Sequence, residues 1–129
     1  MIGPQLQQAI YAALVAADVT GTRVYDVPPP APVYPYTTIG DEQVIDDSNS
    51  CDAAWEIFSD VHVWSRPAAG SKVELKTELA KVVDALGTEL DVDGFVVTSG
   101  ALETTRSLRD PDGITEHAIL TFRYLVDPA

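Results

Sequence analysis

The sequence places side chains of the types that form a hydrolase triad close together, at Asp60, His62 and Ser65. A triad needs the serine hydroxyl within hydrogen-bond reach of the histidine, and the histidine within reach of the carboxylate. Apolar and polar residues alternate here, which predicts a strand whose successive side chains point to opposite faces. Asp60 and His62 then share one face and Ser65 lies on the other, so we expect no triad.

Other catalytic patterns also fail at their spacing. The nucleophile elbow requires Gly-x-Ser-x-Gly, and Ser99-Gly100 lacks the remaining residues. A phosphate-binding loop requires clustered glycines between a strand and a helix, and no such cluster is present in the sequence. The sequence therefore predicts neither an enzyme nor a bound cofactor.

Metal-binding residue types are few. The two histidines, His62 and His117, fall on different predicted strands, and a shared metal would require a close carboxylate pair as well. We interpret both as structural histidines and predict no metal site.

A polar segment between two predicted strands offers oxygen ligands. A helix-loop calcium site requires alternating ligands, a central glycine and a terminal glutamate in register, and this segment lacks that register. We interpret it as a loop that is solvated or contacts a partner. Its candidate interface residues are Asp46, Asp47, Asn49 and Asp52.

Positive charge is concentrated in the predicted C-terminal hairpin, at Arg106, Arg109 and Arg123. Two interpretations stay open: local ion pairs with the acidic excess, or a subunit interface at which this basic sheet meets an acidic neighbour. Five large aromatic side chains are interpreted as core or sheet-packing residues. They are Tyr25, Tyr34, Tyr36, Trp55 and Trp64.

Composition predicts one globular domain spanning residues 1–129, of which 46% are hydrophobic. Cys51 is the single cysteine, so no internal disulfide forms, which fits cytoplasmic synthesis. We expect no signal peptide and no membrane partner. The net charge of −12 disfavours gripping of duplex DNA. It serves solubility, or lines a path along which nucleic acid slides without sticking.

Two helices are predicted. Residues 4–17 carry apolar side chains at three- and four-residue spacing behind Pro4. The second helix begins at a capping box of Ser71 and Glu74 and ends near Leu86, with Gly87 as a left-handed stop. Its lysines and acidic residues predict a solvated face.

Strands are predicted at 23–25, 36–46, 53–65, 95–109 and 114–126, with a proline-rich crossover after the first. The last two form a hairpin whose turn, Asp110-Pro111-Asp112-Gly113, fits a type I turn closed by a glycine bulge. The order of elements predicts an α+β fold, with a mostly antiparallel sheet of four to five strands and two helices packed on one face.

In this order and spacing, the chain resembles the tail terminator family, also called tail completion or tail-to-head joining proteins, of long-tailed phages, prophages and gene transfer agents. The resemblance covers nearly the whole chain. It rests on Leu6, Ile10 and Leu14, on Val24-Tyr25-Asp26, on Tyr34-Pro35-Tyr36 with Ile39-Gly40, on Val63-Trp64-Ser65 before Gly70, and on Asp112-Gly113 with Phe122.

The resemblance implies a structural subunit, not an enzyme. Such a subunit forms a homohexameric ring on the finished tail tube, stops its polymerisation and meets the head connector or stopper protein at the head-tail junction of the particle. DNA would pass through the ring without sequence-specific binding. Two alternatives stay open: a head-completion adaptor or stopper of the same neck, and a small ligand-binding domain or enzyme, which would need a pocket with convergent polar groups.

Overall fold

A computed structural model describes residues 2–129, which fold into two α-helices, a 3-10 helix and five strands. The helices are α1 (Pro4–Ala16) and α2 (Val73–Leu86), and the 3-10 helix is Val19–Thr22. The strands are β1 (Val24–Tyr25), β2 (Tyr36–Asp46), β3 (Trp55–Ser65), β4 (Phe95–Arg109) and β5 (Glu116–Pro128).

The strands form one sheet in the order β1-β2-β3-β5-β4. β1 runs parallel to β2, and every other neighbouring pair is antiparallel. The predicted α+β fold with a mostly antiparallel sheet is confirmed.

Strand alternation decides which face of the sheet the helices cover. In β5 the side chains of Ala118, Leu120, Phe122, Tyr124 and Val126 are all 0% exposed, as the alternating pattern predicts. They form the inner face with the odd-numbered residues of β3, because the two strands pair in register. Each large apolar side chain buried there contributes about 1.5–3 kcal/mol. The helices complete this core with Leu6, Ile10 and Leu14 of α1 and Leu75, Leu79, Val82 and Leu86 of α2.

The start of α2 differs from the predicted capping box. The Ser71 hydroxyl accepts a bond from the Val73 amide at 3.2 Å, but Lys72 occupies the cap position. Glu74 does not reach back to the helix start, because its carboxylate accepts a 2.7 Å bond from the Ser65 hydroxyl of β3. The predicted capping box was wrong because Glu74 bonds to Ser65 of β3 and not to the helix start.

The end of α2 lies where the sequence places it, but its geometry differs. Gly87 has φ −78°, so it is not the predicted left-handed stop. A side chain is excluded for another reason: a Cβ at Gly87 would lie 2.8 Å from the Val83 carbonyl oxygen. The Tyr124 hydroxyl donates a buried 2.7 Å bond to the Leu86 carbonyl and satisfies the last turn.

One residue of the predicted solvated face of α2 is buried. Glu78 is 9% exposed, and its carboxylate accepts a 2.8 Å bond from the Thr20 amide and a 3.2 Å bond from Lys81. Thr20 has φ 48°, a left-handed conformation that is unfavourable for a β-branched residue. Glu78 therefore ties the connection between α1 and β1 to α2, a long-range contact that charge spacing does not predict.

The β4–β5 turn has the predicted glycine in the left-handed region, with Gly113 at φ 75°. The Asp112 carboxylate accepts bonds from the amides of Ile114 and Thr115, both at 2.9 Å. Those two residues stay in the turn, and β5 begins at Glu116 instead of residue 114.

Candidate subunit interface

Within residues 2–129, no helix covers the outer face of the sheet, which is formed by the even-numbered residues of β3 and the odd-numbered residues of β5. Its side chains are mostly half-buried and mix aromatic, apolar and charged types. They include Glu56, Phe58, Asp60, His62 and Trp64 of β3, and His117, Ile119, Thr121, Arg123 and Leu125 of β5.

The alternation that predicted no triad is confirmed. The Ser65 hydroxyl donates to Glu74 on the inner face. On the outer face, the Asp60 carboxylate accepts a 2.7 Å bond from the Thr121 hydroxyl. Ser65 and Asp60 thus bond to different partners on opposite faces of the sheet. His62 bonds to His117 and to neither of them.

The two histidines meet on the outer face. His62 Nδ1 and His117 Nε2 lie 2.8 Å apart, so one ring donates and the other, which must be neutral, accepts. The His117 ring stacks on Trp64 at 3.6 Å between centroids, and its Nδ1 lies 3.8 Å from Asp110. Burial and the neighbouring His62 lower the pKa of His117, and Asp110 opposes that shift. The hydrogen bond between His62 and His117 joins β3 to β5. Residues 2–129 contain no group of three potential metal ligands.

Aromatic side chains continue from the histidines toward β1. Tyr36 stacks on Trp64 at 6.0 Å, and Tyr34 meets Tyr36 edge-on at 5.1 Å. Burial raises the pKa of Tyr36 to about 12. The Arg66 guanidinium lies 4.4 Å above the Tyr34 ring. The sheet-packing interpretation of these residues is confirmed, and Trp55 fits it through an edge contact with Phe95 at 5.6 Å.

Two of the three hairpin arginines have partners within the subunit. Arg123 pairs with Glu56 at 2.6 Å across β3 and β5, and Arg109 pairs at 2.7 Å with Glu116, whose side chain is 2% exposed. Arg106 is exposed and makes no ion pair with any residue of the range 2–129. Arg109 and Arg123 therefore form the local ion pairs of the first interpretation, and the interface interpretation stays a prediction.

The acidic segment between β2 and β3 is exposed and organised by its own side chains. Asp46 accepts a 2.9 Å bond from the Ser48 amide, and Asn49 accepts 2.8 Å bonds from the amides of Cys51 and Asp52. The bonds from Ser48 lower the pKa of Asp46. These oxygens stabilise turns, and the side chains of Asp47 and Asp52 are exposed.

Strand register places the acidic segment and Arg109 at opposite ends of the sheet. Asp46 pairs with Trp55, and Trp55 pairs with Val126, so the acidic segment lies at the end where β5 finishes. Arg109 pairs with Glu116, where β5 starts. Arg106, opposite Ile119, and Arg123, opposite Phe58, lie between the two ends.

Both edges of the sheet are open over part of their length. β1 covers β2 only at Thr37 and Thr38, and residues 39–46 pair with β3 alone. At the other edge, β4 pairs with β5 and has no second neighbouring strand within the described residues. Asp41 on the open part of β2 was not singled out from the sequence, because strand order is not visible in local patterns.

No helix within residues 2–129 has the length and apolar character needed to cross a membrane. Pocket-like depressions on the described surface are shallow. One on the outer face is lined by Asp41, Glu42, Gln43, Phe58, Asp60 and Thr121.

Comparison with known proteins agrees with the resemblance. The tail completion protein gp17 of Bacillus phage SPP1 is 27% identical over 95 residues, which cover 73% of this chain and 69% of that protein. A chain of the virion of a native gene transfer agent particle superposes with a TM-score of 0.85 and 28% identity, covering 96% of both chains. The structure of bacteriophage SPP1 gp17 gives a TM-score of 0.59 and 26% identity, covering 94% of this chain and 88% of that chain.

A model of the family described as tail completion protein gp17 matches residues 8–127, nearly the whole described chain. The resemblance drawn from the sequence is therefore confirmed, and this protein belongs to the tail completion protein gp17 family.

Proposed function

We propose that this chain is the subunit of a homohexameric ring that caps the tail tube of a phage-like particle, ends tube polymerisation and joins the tail to the head connector. The observation that carries the proposal is the match to a gene transfer agent virion chain over 96% of both chains at a TM-score of 0.85. The family is one of structural tail completion proteins, in keeping with a role in assembly and not in catalysis.

The surface of the subunit supports self-association into a ring. A ring requires heterologous contacts, in which one patch of each subunit meets a different patch of the next. This subunit offers two different open edges, β2 and β4, and its acidic segment and Arg109 lie at opposite ends of one sheet.

The charge of the chain supports passage of DNA without binding. With 20 acidic and 8 basic residues, a ring of these subunits presents a surface that repels phosphates. Synthesis takes place in the bacterial cytoplasm, and the subunit is incorporated at the head-tail junction.

Light scattering of the purified protein, alone and mixed with its tail tube protein, tests this function. The proposal predicts a six-subunit species in at least one of the two samples, bound to tube ends. A protein that stays monomeric and leaves tube ends bare contradicts it.

A head-completion adaptor of the same neck is the second candidate, because it shares ring formation and composition. It differs in its target: an adaptor binds the portal side and ignores tube ends. Pull-down with isolated tubes and with isolated connector rings separates the two functions.

A further inference from the structure

We propose that neighbouring subunits join edge to edge, with the open part of β2 (residues 39–46) from one copy pairing antiparallel with β4 of the next. The occupant of each open edge is thus a second copy of this chain. The inference rests on the proposed ring, and it assigns the contact that closes it.

Strand direction allows this pairing without any change in the subunit. Because β2, β3, β5 and β4 are successively antiparallel, β3 and β4 run one way and β2 and β5 run the other. When two copies stand side by side in the same orientation, β4 of the first meets β2 of the second with opposite direction. That is the arrangement an antiparallel ladder requires.

The β4 edge lacks the residues that usually protect an edge strand. Long exposed edges are generally guarded by proline, lysine or a covering segment, since their free amides and carbonyls recruit other strands. β4 runs from Phe95 to Arg109 without a proline or a lysine, and five consecutive residues, 103–107, are exposed on both faces. Such an edge is suited to pairing.

The two open edges bend at the same height. β2 has a register shift between Ile39 and Glu42, and β4 has one between Leu102 and Thr104. The β2 bulge lies opposite Asp60, which pairs with Thr121, which in turn pairs with Thr104. A bulge bends and twists a strand locally, so two edges that bend at one level can run alongside each other.

The charges of the two open edges are complementary near the bulges. Residues 39–46 hold Asp41, Glu42 and Asp46 and no basic residue, whereas 101–109 hold Arg106 and Arg109 against Glu103. Arg109 is already paired with Glu116, which leaves Arg106.

Asp41 and Arg106 both lie on the outer face. Asp41 borders the outer-face depression with Phe58 and Asp60, and Arg106 pairs with the outer-face residue Ile119. In level pairing, Arg106 lies two residues along β4 from the position opposite Asp41. This diagonal separation is about 7–8 Å, within reach of an arginine side chain.

Reversing the two charges tests whether Arg106 of one copy lies against Asp41 of the next. Arg106→Glu places an acid against Asp41 of the next copy, and Asp41→Arg places a base against Arg106. At low salt, each variant alone should need a roughly 10- to 100-fold higher protein concentration to form rings, because like charges then face each other. Mixed in equal amounts, the two variants should form an alternating ring, since every contact then joins opposite charges.

Lys76→Glu is the matched control. Lys76 is exposed on α2, makes no ion pair within residues 2–129 and lies on neither open edge. The control reverses the same charge and should form rings as the wild type does. Thermal unfolding of each variant verifies that the subunit fold is kept.

Hydrogen exchange of the wild type provides an independent readout. Amides within 39–46 and 103–108 should become protected when the ring assembles, whereas the segment 48–53 should not change by this contact. Wild-type-like rings from both single variants, a mixture that stays unassembled, or a ring without the edge protection each overturn the edge contact.

The proposed function fails on a different result. If the wild type neither forms a six-subunit species nor caps tubes, the ring itself is wrong. If it does both while the variants behave as wild type, the ring stands and only the edge assignment falls.

Discussion

The two ends of the sheet use their charged residues in opposite ways. At the end that carries the β4–β5 turn, Arg109 bonds to the buried Glu116 and Arg66 lies 3.5 Å from Asp112. At the other end, Asp47 and Asp52 are exposed and make no ion pair within residues 2–129. The difference teaches that charged residues form ion pairs at the turn end, whereas those of the acidic end are not needed for contacts within the subunit.

The largest effect that separates the two ends is expected from Arg109→Ala. The variant leaves the Glu116 carboxylate buried without its cation, and its other oxygen, Oε2, already has no partner. We expect a loss of about 2 kcal/mol in the free energy of unfolding, measured by urea denaturation. Arg106→Ala, the matched control without an ion pair, should change it by less than about 0.5 kcal/mol. Equal losses would show that Arg109 and Glu116 do not hold the turn end.

A smaller effect is expected from pH at the turn end. Because burial and His62 lower the pKa of His117 in the folded state, the unfolded chain binds more protons as pH falls below about 6.5. Stability should therefore be full above pH 7 and decline as pH falls through 6.5 toward the folded pKa. The pKa values of Asp46 and Asp112 are also lowered, but these carboxyl groups titrate at lower pH and do not change the stability near pH 6.5.

His117→Asn is the variant that checks this assignment. It removes the titrating ring, so the stability profile between pH 5 and 7.5 should flatten relative to the wild type. An unchanged slope would assign the dependence to another group.

The smallest effect on stability is expected at the acidic end. The triple variant Asp46→Asn, Asp47→Asn and Asp52→Asn should unfold within about 0.5 kcal/mol of the wild type, because these side chains are exposed and asparagine can still accept the Ser48 amide bond. If this end serves partners, ring or tube binding should weaken and lose part of its salt dependence. Unchanged binding with unchanged stability would leave the segment a solvated loop.

The sequence predicts the parts of the fold that depend on local periodicity. The inward set on β5, the glycine of the β4–β5 turn and the extents of both helices follow from spacing, and the structure agrees closely. Strand order depends on which segments pair across long distances, so neither the open edge of β4 nor that of β2 was predicted.

Side-chain partners far apart in sequence account for the specific errors. Glu74 was predicted to complete a capping box but accepts a hydrogen bond from Ser65. Glu78 was predicted to lie on a solvated face but accepts a hydrogen bond from the amide of Thr20, 58 positions away. His62 and His117 are 55 positions apart and in direct contact. Local spacing gave Glu74 and Glu78 roles within α2, whereas their actual partners lie on other elements.

The length of tail tubes assembled in the presence of this protein tests the central claim most directly. Electron microscopy of tubes polymerised with increasing amounts of the protein should show growth arrested early, with a six-fold ring at tube ends and none along their sides. Tubes that grow to the same lengths with bare ends, whatever the protein concentration, would contradict the account.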